Sequence, residues 1–172
     1  MKISLFLLFI ILVCAGSLFA QKIERQPIQP VSSNLDDVEK LLSKPESVIP
    51  FNDGSQSYFY YLKDYNLQVR FSAGDCKKAS DRSWNFPQDT VVSITYIWGD
   101  RIKLGLSSLK VDHKKFTKEY FDGCTPSHFK YFDDEQGIEY HGEHDRIYEV
   151  MFYPSARYDN LRCDNVMKAE NE

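Results

Sequence analysis

His141-Gly142-Glu143-His144 sets two imidazoles and a carboxylate within four positions, with Glu139 and Asp145 alongside. His141, Glu143 and His144 together are a ligand set for Zn²⁺, which would make the chain a metal-dependent hydrolase. On a helix, two His four apart share a face. Here they are three apart, in what reads as a hairpin turn, and a solvated turn accounts for the same residues. Asp133-Asp134-Glu135 could offer oxygens to Ca²⁺, but it lacks the alternating ligands of an EF-hand loop and reads as an acidic turn. No nucleophile elbow, P-loop or dinucleotide fingerprint occurs. The sequence therefore assigns no catalytic residue and no cofactor.

The other chemistry is aromatic. Tyr58-Phe59-Tyr60-Tyr61, with Tyr96 and Trp98, is dense in rings. On a strand, neighbours point to opposite faces, so Tyr58 and Tyr60 part from Phe59 and Tyr61. One set belongs to the core. The other, taken as Tyr58 and Tyr60 with Trp98, would form a platform for a peptide or glycan, because Tyr pairs a flat apolar body with a polar tip. Burial under a second covered face is the competing account, and would leave a purely structural domain.

Cysteine supplies the third chemistry. Cys76, Cys124 and Cys163 follow the leader that holds Cys14. Three thiols allow three single bridges. Cys163 follows the last strand-like segment, where a bridge would tie down the C-terminus, and this favours Cys76–Cys163. Cys124, in the turn Asp122-Gly123-Cys124-Thr125-Pro126, is then an extra thiol.

These groups need a scaffold. Ser33 or Asn34 can cap a helix with Asp36 and Asp37 in its first turn, and Leu35, Val38, Leu41 and Leu42 make one apolar face before Pro45. Too short to persist alone, this helix must pack on something. Strands are expected over Ser57–Leu62, Leu67–Phe71, Val91–Trp98, Phe116–Phe121, His128–Phe132, Gly137–His141 and Arg146–Tyr153. Ile147, Val150 and Phe152 reach the core together only if a bulge shifts the register near Glu149. The strand, turn and strand of Leu67–Phe71 and Val91–Ile97 recurs in Gly137–Tyr140 and Arg146–Phe152, as in a duplicated unit.

Lys2, the apolar run Ile3–Val13 and the small residues before Gln21 form a secretory signal over 1–20, too short to span a bilayer. Cys14 behind Val13 makes a poor lipobox, so lipoprotein anchoring is the weaker reading. Losing this segment removes one positive charge and no negative one, moving the net charge from −4 to −5. An acidic chain without a basic stripe does not suit nucleic acid. The pairs Lys77-Lys78 and Lys114-Lys115 are isolated. No later stretch is apolar enough for a transmembrane segment.

Asn34-Leu-Asp-Asp-Val-Glu-Lys-Leu-Leu, Ser43-Lys44-Pro45, Gly74-Asp75-Cys76, Trp84–Val91 and the ending Tyr153-Pro154-Ser155-Ala156 to Leu161-Arg162-Cys163 resemble an uncharacterised family of exported bacterial proteins. The resemblance implies that Cys76 and Cys163 belong to one framework, and it carries over no functional residue. The helix, the Lys-Pro exit and the hairpin are also similar to SmpA/BamE-like lipoproteins and to half of a β-lactamase-inhibitor-protein-like domain. Those imply an α+β binding domain without catalysis. This chain departs from them in having Ser43 where that pattern has Gly, one evident helix and a poor lipobox.

The expectation is an α+β fold, a short helix on a mainly antiparallel sheet. A signal at 1–20 and an extended lead-in at 21–31 precede one domain over 32–163. That domain has two strand-rich halves, 32–100 and 101–163, and a disordered tail follows at 164–172. The expected role is a secreted or periplasmic, non-enzymatic protein that binds an envelope or secreted protein or a glycan.

Overall fold

The computed structural model describes residues 27–78, 82–98, 104–105, 117–120, 128–144 and 146–169. The export segment 1–20, Cys124 and the Lys114-Lys115 pair lie outside them. Helix α1 (Leu35–Leu42) begins at Asn34, whose side chain accepts from the Asp37 N–H while the Asp37 carboxylate accepts from the Asn34 N–H. This reciprocal cap satisfies two amides that a helix start leaves orphaned. The helix stops at Ser43, which adopts φ +63°, before Pro45. Val38 is fully buried and Leu35 and Leu42 pack on the core, whereas Leu41 is 51% exposed.

Among the described residues, nine antiparallel strands form the sheet. They are β1 (Ser47–Pro50), β2 (Gln56–Tyr61), β3 (Asn66–Phe71), β4 (Val91–Ile97), β5 (Leu104–Gly105), β6 (Thr117–Tyr120), β7 (His128–Asp133), β8 (Ile138–Glu143) and β9 (Arg146–Phe152). The order is β1-β2-β3-β4-β9-β8-β7-β6, with β5 on β9. Helix and sheet together make the fold α+β. Strand β1 carries no apolar alternation because all four residues are exposed at the sheet edge, which is why it escapes a reading by period.

The pairing pattern runs twice. When Ser47 is laid on Thr117, Ser57 on Lys130, Arg70 on His141 and Ser93 on Glu149, the pairs within β1–β4 reproduce those within β6–β9, strand ends aside. Each half carries one bulge at the same place: Val92 is skipped between Ser93 and Val91, and Tyr148 between Glu149 and Ile147. The bridge Asn34↔Thr90 has its counterpart in Gly105↔Arg146. The halves meet at β4 and β9, where Thr95 faces Met151 and the pairs Ile94↔Phe152 and Tyr96↔Val150 exchange about that centre.

The bulge at Tyr148 does what the sequence required of it. Ile147 and Val150 are both fully buried, and Phe152 packs on the same cluster. That main core also takes Tyr60, Leu67, Val69, Phe71, Val91, Ile94, Tyr96 and Val38 of α1. Ile28, from the stretch expected to be a mere lead-in, is buried in it too.

A second, smaller core covers one end of the opposite face. Trp84, Phe86, Val92 and Tyr153 pack there with Tyr158 and Leu161. A 3₁₀ helix (Ala156–Leu161) and helix α2 (Cys163–Ala169) follow β9. The tail expected to be disordered from residue 164 is thus helical to Ala169. Cys163, the first residue of α2, is buried, bonded to Cys76, and donates its N–H to the Ser83 carbonyl, which together order the segment.

Candidate binding face

The sheet face turned away from α1 carries polar side chains in register. On β3, Gln68 donates to the Ser57 hydroxyl of β2, and Arg70 ion-pairs with Asp53 at 2.7 Å. Asp53 also accepts from Ser55 and from the Ser83 hydroxyl. Burial alone would raise its carboxyl, but the hydrogen bonds from Ser55 and Ser83 and the charge of Arg70 outweigh that and hold it at about 2.

The second half places His141 where the first has Arg70. Its Nε2 hydrogen-bonds Glu139, two residues along β8, and its Nδ1 lies 3.3 Å from Glu149, its direct cross-strand partner on β9. The two carboxyls part company. Burial pushes Glu149 up, and Glu139 adds to the push. Burial would raise Glu139 as well, yet the His141 hydrogen bond, the His141 charge and those of Lys130 and Arg82 bring it below the usual range. Lys130, the other cross-strand neighbour of His141, lies 4.9 Å from the Phe132 ring.

Around these ionic groups stand Phe59, Asn66, Ile97, Phe132 and Met151, all half-buried, and Tyr61, which is 64% exposed. The face therefore mixes partly exposed rings and aliphatics with fixed charges.

The expected aromatic platform is turned inward. Tyr60 is 3% exposed and Trp98 8%, both in the main core. Tyr58 is half-buried and stacks edge-on against Phe71. Trp98 stacks on Tyr96 at 5.9 Å and meets Tyr65 at 6.4 Å. The reason is the alternation itself: α1 covers the face that Tyr58 and Tyr60 share, and the outward aromatics of β2 are Phe59 and Tyr61. Alternation separated the two sets correctly, but nothing local says which set the helix covers.

The proposed metal ligands do not converge. His141 is held between Glu139 and Glu149, while His144 sits exposed in the turn at φ +58° with Nδ1 3.6 Å from Glu143. Glu143 also lies 3.8 Å from His128. Among the described residues, no three His, Cys, Asp or Glu side chains are grouped to hold a metal ion. Asp133 and Asp134 are engaged structurally, Asp133 accepting from Gln136 and Asp134 from the Tyr153 hydroxyl. The partnership of Glu149 with His141 was missed because it depends on the β8–β9 register. The bridge Cys76–Cys163 is present, with its Cα atoms 5.4 Å apart. No helix among the described residues is long and apolar enough to cross a membrane.

No protein-family model matches this sequence, and no curated protein matches it. Among solved structures, a cysteine-rich secretory protein from Staphylococcus aureus subsp. aureus Mu50 aligns at 14% identity and a TM-score of 0.38. The alignment covers 73% of this chain and 48% of that one, so the chain spans about half the neighbour's length. A likeness at that level establishes neither a shared fold nor a shared activity.

Proposed function

We propose that this is an exported, non-enzymatic binding protein, built as a tandem duplication of one strand-rich unit, which meets a protein partner with the sheet face opposite α1. The observation that carries the reading is the composition of that face. Partly exposed Tyr61, Phe59, Ile97 and Phe132 are interleaved with Arg70, Lys130 and the Glu139–His141–Glu149 cluster, with Arg70 held by Asp53 and His141 by Glu139 and Glu149. Such a mixture of rings and pre-positioned charges suits protein recognition. Eight strands at about 4.8 Å spacing make a surface roughly 35 Å wide, the scale of a protein contact rather than of a small ligand. The leader-like first twenty residues and the disulfide support a secreted or periplasmic location.

The test is affinity capture from the secreted or envelope fraction using the native chain, Tyr61→Ala with Lys130→Ala, and Leu41→Ala on the helix side. A partner retained by the native chain and by Leu41→Ala, and lost with the face variant, is the expected result. A partner that ignores the face substitutions, or no partner across the salt range, would refute the reading.

A further inference from the structure

Strand β1 ends the sheet, and among the described residues no strand lies on its outer side. Its side chains are apolar for an open edge. Val48 is 45% exposed, Ile49 46% and Phe51, just past the strand, 38%. Val48 lies opposite Tyr58 and Ile49 opposite Ser57, so the two stand on opposite faces of the sheet. From Pro45 to Phe51 the chain carries one charge, Glu46. Lysines or a covering element commonly blunt such an edge, and an apolar, uncovered one is a template for another strand.

The backbone limits what that strand can be. Phe51 donates to the Ser55 carbonyl in the β1–β2 register, so alternation turns Ser47, Ile49 and Phe51 inward to β2 and leaves Val48 and Pro50 facing out. Pro50 has no N–H, and the Glu46 N–H is given to the Phe59 carbonyl. Val48 thus carries the one outward N–H between Glu46 and Phe51. A long peptide laid along β1 finds a single donor and then a proline. An antiparallel copy of β1, related by a two-fold axis through Val48, leaves no outward N–H unpaired on either strand. The two Val48 residues exchange both of their hydrogen bonds. Ser47 then meets Ile49 of the copy, Glu46 meets Pro50 and Pro45 meets Phe51, so no like charges oppose each other. The seam between β4 and β9 already has this form, two antiparallel strands from related units exchanging about a central pair.

We propose that β1 pairs with β1 of a second copy of this chain, antiparallel about Val48, and joins two sheets edge to edge in a reversible dimer. Val48, Ile49 and Phe51 of each copy cover less than the roughly 800 Å² per partner of a stable complex, so the dimer is weak, with a dissociation constant on the order of 100 µM. The contact is the edge of the sheet, and it forms whether or not the face opposite α1 holds a partner.

Sedimentation equilibrium of the native chain, from tenfold below to tenfold above that concentration, tests this. The expected result is monomer at the low end and dimer at the high end, reversible on dilution. Hydrogen exchange of the Val48 amide is fast in the monomer and slows at the high end, a reading that needs no variant. Val48→Lys sets two ammonium groups against each other at the axis and weakens the dimer at least tenfold with the circular dichroism unchanged, whereas Val48→Thr keeps the branched side chain and the N–H and leaves it within about threefold. Each copy has a net charge of −4, so added sodium chloride strengthens the association. A dimer that survives Val48→Lys, that is lost instead with Tyr61→Ala and Lys130→Ala, or that salt weakens would overturn the proposal. A chain that stays monomeric throughout would also overturn it and leave the edge to an extended peptide.

Discussion

Thr95 pairs with Met151 at the centre of the junction between β4 and β9, and the pairs on either side of it exchange when the two halves of the sheet are interchanged. β4 and β9 are therefore the inner strands of both halves at once, each hydrogen-bonded on two sides, whereas β1 is fully exposed at an edge. Opening of the molecule starts at edges and ends where contacts are densest. Hydrogen exchange will show the amides of Ile94–Tyr96 and Val150–Phe152 among the slowest and those of Ser47–Pro50 among the fastest. Slow exchange confined to one half would contradict this.

The inward placement of Tyr60 and Trp98 has opposite consequences for the two side chains. Trp98→Ala empties a core position and lowers stability by about 3–5 kcal/mol. The Tyr60 hydroxyl is buried without a hydrogen-bond partner, and burial, with the nearby Glu39 and Tyr58, pushes it up to about 12. Tyr60→Phe keeps the ring and removes an unsatisfied group, so stability stays equal or rises by up to about 1 kcal/mol. Urea denaturation of both variants measures this, and a surface role for either ring predicts little change from Trp98→Ala.

The bridge Cys76–Cys163 closes a loop with a sequence separation of 87. In the chain-entropy account such a loop is worth roughly 4–5 kcal/mol. Cys76→Ser with Cys163→Ser will show a correspondingly lower midpoint in denaturant, and a reductant will no longer shift it. Ser83–Asn85, which pairs with Leu161–Cys163 beside the bridge, will be the first place a protease cuts in the variant.

Asp53 sets an acid limit. In the folded protein it is held at about 2 against an ordinary 3.8, so the unfolded chain takes up its proton first as pH falls. The stability it contributes is complete above about pH 5 and is lost as pH drops toward 2. Asp53→Asn strands Arg70 without its carboxylate and costs about 2–3 kcal/mol at pH 7. It also flattens the fall in stability between pH 5 and 2, which denaturation at several pH values measures.

Glu139 and Glu149 titrate with opposite consequences. Glu139 is lowered, so its charged form stabilises the fold above the ordinary carboxyl range, and that contribution is lost as pH falls through its folded value. Glu149 is raised, so its protonated form favours the fold below that range, and this advantage is lost as pH rises. At pH 7, Glu139→Gln destabilises and Glu149→Gln is neutral or stabilising. A loss of stability on Glu149→Gln larger than that on Glu139→Gln would contradict the assignment.

Much of this was legible in the residues. Asn34 and Asp37 announce the helix start, the alternation in Leu67–Phe71 and the apolar run from Val91 place the inner strands, and the uneven spacing of Ile147, Val150 and Phe152 called for the bulge found at Tyr148. What failed has a common cause. Whether α1 covers Tyr60 or Tyr61, whether Glu149 faces His141, and whether Asp53 reaches Arg70 are facts of register and layer. They depend on residues tens of positions away, and no local pattern records them. Strand β1 and helix α2 were missed for a related reason: the first has no buried side, and the second is ordered through a bond to Cys76.

The self-matching junction at Thr95 has a cost during assembly. An inner strand whose neighbour is its own counterpart in the pairing pattern offers the same backbone hydrogen-bonding ladder to the corresponding strand of another molecule before its own second half arrives. Crowded refolding will therefore yield exchanged dimers, each complete sheet shared between two chains, alongside the monomer. Dilution during refolding will suppress them, and those already formed will separate only as fast as the whole β4–β9 seam can be undone.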